Sequence, residues 1–165
     1  MRLKDKVSII TGGGSGMGRV ASLMFAAEGA KVVVAEFNDE AGLETVRLVR
    51  KAGGEATFVK TNVADEASAK GMVDHAVATY GRVDVLYNNA GIMPEADHSV
   101  IDTSVEDWDR VMAVNLTGAF NCTRAAVRGM MKRRWGRVIN ISSVVGIVGN
   151  PGQANYAAAK AGVAG

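Results

Sequence analysis

Five short runs rich in β-branched residues alternate with longer helical stretches along the whole chain. This alternation constrains the fold more than any single motif. "KVSIIT" (6–11), "KVVVAE" (31–36), "ATFVK" (56–60), "VDVLYN" (83–88) and "RVINIS" (137–142) read as strands. Each is nearly continuous in apolar residues, the pattern of strands covered on both faces. Helices are predicted between them near 16–29, 39–52, 66–80 and 104–133, with the last bent or split near Asn115. Gly29, Gly53 and Gly81 fall just past predicted helix ends, and Ser104 with Asp107 resembles a capping box. Strict strand–helix alternation means βαβ crossovers and a parallel sheet covered on both faces. The prediction is one doubly wound, Rossmann-like α/β domain over residues 1–165, with helices on both faces.

Composition excludes more than it suggests. The chain has 165 residues, 48% hydrophobic and 22% charged, with a net charge of +2, as in ordinary globular proteins. Its one basic cluster, Lys132, Arg133, Arg134 and Arg137, sits at a predicted helix end. Cations there complement the helix dipole, so no nucleic-acid partner is expected. No apolar run is long enough to span a membrane, and "MRLKDKVSIITGGG" enters a strand without a signal-peptide pattern. A single cysteine, Cys122, permits no internal disulfide. A cytoplasmic protein is expected. His75 and His98 have no ligand spacing, so no metal site is expected.

"IITGGGSGMGRVA" places a glycine-rich turn between the first strand and the first helix. Such a turn lets a phosphate approach the backbone and the helix N-terminus. The common G-x-G-x-x-G spacing fails, because its third glycine would fall on Met17. T-G-x-x-x-G-x-G fits instead, through Thr11, Gly12, Gly16 and Gly18. Strand two ends in Glu36, eighteen residues past Gly18. An acid there can accept hydrogen bonds from both ribose hydroxyls of NAD and would repel the 2′-phosphate of NADP. Ser15 and Phe37 stand where an Arg could have held that phosphate. NAD(H) is therefore expected in preference to NADP(H).

Near the C-terminus, Tyr156 and Lys160 at i and i+4 share a helix face. A phenol is a poor acid–base catalyst at neutral pH, and a neighbouring ammonium favours its anion. Such a Tyr can exchange a proton with a carbonyl or alcohol oxygen while hydride moves at carbon. Ser143 follows strand five at the edge where parallel α/β sheets bind ligands.

"TGGGSGMG", "NNAG" (88–91), Asn115 in "AVNLTGAF", "NISS" and "YAAAK" fall in the order and spacing of the short-chain dehydrogenase/reductase family. The chain resembles that family over essentially its whole length. The resemblance implies that Tyr156 is the general acid/base, that Lys160 holds the nicotinamide ribose and favours the phenolate, and that Ser143 hydrogen-bonds the substrate oxygen. It implies that Asn115 holds a water of the proton relay and that Thr11 braces the glycine turn. Cofactor contacts are expected from Gly12, Ser15, Gly16, Met17 and Gly18, from Glu36 and Phe37, and from Asn62 and Val63. Asn89, Ala90 and Gly91 would line the adenosine side, and Tyr156 with Lys160 the nicotinamide side. Asn62 stands where the family often has Asp, so weaker adenine binding is expected. Asp97 and His98, in the loop after strand four, could touch substrate.

The family domain usually runs to roughly 250 residues, within the size of one α/β domain. The resemblance thus implies an N-terminal fragment lacking the last strands, with strand five left as an open edge and a weakly buried final helix. The expected partner is a small alcohol or carbonyl compound, with a homo-oligomer in the full-length form. "GNPGQANYAAAKAG" is also similar to 3-oxoacyl-carrier-protein reductases, which generally use NADPH. A catalytically silent nucleotide-binding module is the third reading.

Overall fold

A computed structural model describes residues 1–94 and 99–165; Asp97 and His98 lie outside them. The strands are β1 (Val7–Thr11), β2 (Lys31–Glu36), β3 (Glu55–Lys60), β4 (Val85–Asn88) and β5 (Arg137–Asn140), in the spatial order β3-β2-β1-β4-β5. All pairings are parallel, with Ile9 registered on Val33 and on Leu86. The helices are α1 (Gly16–Ala27), α2 (Asp39–Lys51), α3 (Glu66–Tyr80), α4 (Val105–Met112), α5 (Gly118–Lys132), α6 (Val145–Val148) and α7 (Ala154–Ala164).

The pleat explains why continuous apolar strands were needed. Ile9, Val33 and Leu86 point to one face and pack with Met72 and Ala76 of α3 and Cys122, Ala126 and Met130 of α5. Ile10, Val32 and Val34 point to the other and pack with Ala21 of α1 and Val46 and Val49 of α2. The doubly wound sheet expected from the sequence is therefore present. Only the central strands are covered on both faces, however. β3 is an edge with half-buried Thr57, Phe58 and Val59, and Ile139 of the opposite edge strand β5 is 38% exposed.

Four local features differ from the sequence reading. β4 and β5 are shorter than predicted, and the short helix α6 was not foreseen. Trp135, just past α5 where the sequence predicts a packing anchor at a helix end, packs no core: it lies exposed beneath Lys6 Nζ, 4.0 Å from the ring centroid, with Arg137 on the ring at 5.4 Å. Finally, α7 buries more than its Ala-rich sequence suggests. Asn155, Ala159 and Lys160 are all buried, and Asn155 Nδ2 donates to Asp107 Oδ2 on α4 at 3.0 Å.

Cys122 is fully buried between β-sheet and α3, and burial pushes its thiol up to about 12. An unfolded thiol titrates near its ordinary value of 9.0. Between these values the unfolded chain releases a proton that the folded chain keeps, so folding stability falls as pH rises. The stability of the unaltered chain relative to Cys122→Ala should drop by about 1.4 kcal/mol per pH unit above about pH 9. Urea unfolding of both chains under reducing conditions at pH 8, 9 and 10 measures this. A pH-independent difference would contradict it.

Candidate functional site

The order β3-β2-β1-β4-β5 reverses direction between β1 and β4, and ligands bind at such switch points, beyond the strand carboxyl ends. The largest crevice at that edge has a volume of about 610 Å³, within the range of small-molecule sites. Gly12, Ser15, Gly16 and Met17 form one wall. Glu36 and Phe37 stand at the end of β2, Asn62 and Val63 follow β3, and Asn89, Ala90 and Gly91 follow β4. Eleven of the residues singled out in the sequence thus surround one cavity.

Close backbone approach explains the glycines. A Cβ on Gly18 would lie 2.0 Å from Gly12 O and 2.7 Å from Asn89 Nδ2. Gly16, at φ +48°, has open space where a side chain would project. Thr11 binds the two halves of the crevice together. Its hydroxyl accepts from Asn89 N (3.0 Å) and Ala90 N (3.1 Å) and donates to Tyr87 O (3.3 Å). Asn89 Nδ2 returns a bond to Thr11 O at 3.0 Å.

Glu36 reaches back across the turn. Its Oε2 accepts from Gly14 N at 2.9 Å, and Oε1 accepts from Phe37 N (2.8 Å) and Asn38 N (3.1 Å). A carboxylate has about four acceptor sites, two on each oxygen; Oε1 already accepts two bonds, so the free lone pair lies on Oε2. Arg19, which sequence reasoning passed over, holds the same turn from behind: it donates to the Gly14 carbonyl and to Thr45 Oγ1 at 3.0 Å. Thr61, Ile92, Val114 and Arg110 also line the crevice and were not anticipated. Their positions one turn before Asn115 or beside named motifs were the available signal. Asn62 is exposed, and its Oδ1 accepts from Ala64 N at 3.1 Å, closing a local turn.

The reactive half lies beside this crevice. The α4–α5 helix breaks, as predicted near Asn115, into a π-helical turn over Ala113–Thr117, a feature frequent at functional sites. There Asn115 Oδ1 accepts from Ile92 N (3.0 Å) and Nδ2 donates to Ile92 O (2.8 Å). Lys160 is 5% exposed, its Nζ donates to Ile141 O at 2.7 Å, and it lies 5.7 Å from the Tyr156 ring centroid. Burial pulls the Lys160 ammonium below its ordinary range. Asn115, Lys160, Thr11 and Asn88 line a second cavity of about 10 Å³, the space of one water. Gly91 is confined between them: a Cβ would meet Asn115 Oδ1 at 2.5 Å and Lys160 Nζ at 3.5 Å. Ser143, after β5, accepts from Val145 N at 3.2 Å through its hydroxyl. Tyr156 is half-buried at the start of α7, where Asn155 Oδ1 accepts from its N–H at 2.8 Å. Gly18 packs behind the turn, and neither Ser143 nor Tyr156 lines the two cavities. Among the described residues, no group of three or more His, Cys, Asp or Glu side chains could hold a metal ion, and no helix is long and apolar enough to cross a membrane.

The sequence profile of the family described as short chain dehydrogenase matches residues 6–165. The chain belongs to this family. Proteins similar to it include a 3-oxoacyl-[acyl-carrier-protein] reductase of Thermotoga maritima, 47% identical over 165 residues, covering 100% of this chain and 66% of that protein. A protein of the same organism described as an uncharacterized oxidoreductase is 45% identical over 161 residues, covering 98% of this chain and 62% of its own length. A cyclopentanol dehydrogenase of Comamonas testosteroni is 41% identical over 162 residues, covering 98% of this chain and 64% of that one. A crystal structure of a short chain dehydrogenase from Mycobacterium avium superposes with a TM-score of 0.93 at 43% identity, covering 99% of this chain and 61% of that chain. The chain therefore spans less than two thirds of the length of these relatives. The glycine-rich cradle around the 610 Å³ crevice fits the nicotinamide cofactor that the family resemblance implies.

Proposed function

We propose that residues 1–165 form a nicotinamide-cofactor-binding domain of an enzyme that moves hydride between NAD(H) and a small alcohol or carbonyl compound. The observation that carries this reading is the buried Lys160 beside Tyr156, next to the crevice that the glycine turn and Glu36 enclose. In this reading an adenosine ribose hydroxyl would donate to the free lone pair on Glu36 Oε2. Ser15, Gly16, Met17 and Gly18, at the N-terminus of α1, would hold the pyrophosphate. Phe37, Asn62 and Val63 flank the adenine, and Asn89, Ala90 and Gly91 line the adenosine side.

The cofactor supplies the hydride acceptor or donor. The protein supplies the proton: the Tyr156 phenol gives it to a carbonyl oxygen in reduction and removes it from the alcohol in oxidation. Ser143 holds that oxygen through its hydroxyl. Lys160, fixed by the Ile141 carbonyl, binds the nicotinamide ribose and favours the phenolate. The 10 Å³ cavity lined by Lys160 and Asn115 has room for one water, which would extend the proton relay from Tyr156 through Lys160.

Turnover of an alcohol panel followed by NADH absorbance tests the assignment. Tyr156→Phe should lower turnover by at least about 100-fold, with NADH affinity changed less than threefold. Activity untouched by the substitution would refute the role of Tyr156. Two relatives bear the name 3-oxoacyl-[acyl-carrier-protein] reductase, which favours an acyl thioester and NADPH as the second reading; a preference for NADPH in the same assay would select it. NADH binding without turnover of any substrate would select a silent binding module. For the whole protein we propose a cytoplasmic location and a homo-oligomer.

A further inference from the structure

We infer that Asn121, on the helix behind the crevice, is a positioning residue that sets the adenine wall of the cofactor site. The inference rests on the cofactor reading above. Asn121 is 7% exposed and does not itself line the crevice. Its Nδ2 donates to two successive carbonyls of the β3–α3 loop, Val63 O at 3.0 Å and Ala64 O at 3.4 Å. Val63 is itself 7% exposed and lines the crevice beside Asn62.

One turn earlier on the same helix, Gly118 leaves room for that wall. A Cβ there would lie 2.7 Å from Val63 Cγ2. The loop is closed on its other side by bonds of its own: Asn62 Oδ1 accepts from Ala64 N (3.1 Å), Ser68 Oγ accepts from Asn62 N (2.9 Å), and Asp65 Oδ2 accepts from Ser68 N (2.6 Å). These fix its shape but not its distance from the core. That distance is fixed by Gly118 and Asn121, the first by steric limit and the second by attraction. Thr61 N donates to Glu36 O at 2.8 Å, so a loop shifted outward at Val63 also strains the seat of the acid that reads the ribose.

The consequence is a physical connection between the two ends of the site. The π-helical turn holds Ile92 through Asn115, and the helix that continues it holds Val63 through Asn121. One element therefore sets both banks of the crevice.

The test uses the 165-residue chain, NADH and two variants. Asn121→Leu keeps the size and removes both donated bonds; Asn121→Asp places an acceptor against two carbonyls and should act in the same direction more strongly. Amide hydrogen exchange of Ala64 and Asp65 in ligand-free Asn121→Leu should accelerate about tenfold, while the Val7 amide, held by Asp84, is unchanged. NADH should bind about tenfold more weakly. Saturation transfer from protein to the adenine H2 and H8 protons of NADH should fall relative to the nicotinamide protons, a change that a general loss of stability would not produce. Unchanged exchange in the loop, exchange rising equally throughout the chain, or a loosened loop with undiminished NADH affinity would each overturn the inference. Absence of NADH binding by the unaltered chain would instead reject the cofactor reading, and with it the cofactor role of Asn121; loop exchange would still decide whether Asn121 holds Val63.

Discussion

Gly18→Ala should destabilise the chain by more than about 3 kcal/mol and reduce NADH affinity by at least about 100-fold. The added methyl would sit 2.0 Å from Gly12 O and 2.8 Å from Gly12 C, both backbone atoms that no side-chain rotation can withdraw. To admit it, α1 must move away from the turn. That movement breaks the contact of Asn89 Nδ2 with Gly12 O, now 3.3 Å, and loosens the wall that Thr11 and Asn89 build together. Gly16→Ala is the informative control. Its φ of +48° makes any side chain strained, but nothing lies within 4 Å of the added Cβ. Its cost should stay near 1–2 kcal/mol. Denaturant unfolding of the two variants compares a steric collision with a purely conformational penalty. Equal destabilisation would contradict the packing described for Gly18.

Replacing the acid at the end of β2 should invert cofactor preference. Glu36→Ala removes an acceptor for the ribose hydroxyls, and hydrogen bonds to a charged group contribute about 1.5–3 kcal/mol each. It also removes a negative charge that would face a 2′-phosphate. At about 4 Å and an effective dielectric near 20, that repulsion is about 4 kcal/mol per unit charge. The ratio of NADPH to NADH dissociation constants should therefore fall at least 100-fold, through weaker NADH and tighter NADPH binding. Some of the NADH loss will come from the turn itself, since Gly14 N, Phe37 N and Asn38 N lose their acceptor. Only the gain for NADPH reports the lost charge directly. A Glu36→Ala chain with unchanged NADPH affinity would remove Glu36 as the discriminating residue.

The fold was legible because its core strands are continuous in apolar residues. "VSIIT" and "KVVVAE" can be buried on both faces only inside a parallel sheet, and Ile9 and Ile10 do enter opposite layers. The helix break at Asn115 was also readable, from the family motif that carries that residue. What the sequence concealed were contacts between segments distant along the chain. Arg19 reads as an ordinary helix residue in the sequence, yet its guanidinium holds the Gly14 carbonyl and Thr45 Oγ1. Asn155 lay beside the reactive pair without an assigned role, yet it is 2% exposed and joins α7 to Asp107. Asn121 carried no motif at all. Polar residues inside helices give no periodic signal, and their partners here are backbone carbonyls and side chains 48 to 58 positions away.

The most direct measurement is a paired titration of the unaltered 165-residue chain with NADH and NADPH, followed by energy transfer from Trp108 and Trp135 to the reduced nicotinamide. Saturable binding with NADH preferred by at least tenfold is predicted from the crevice enclosed by the glycine turn and Glu36. Equal affinity for both cofactors, or tighter NADPH binding, would contradict the NAD(H) assignment. No binding of either by a chain with the circular dichroism of a folded α/β protein would contradict the cofactor site itself.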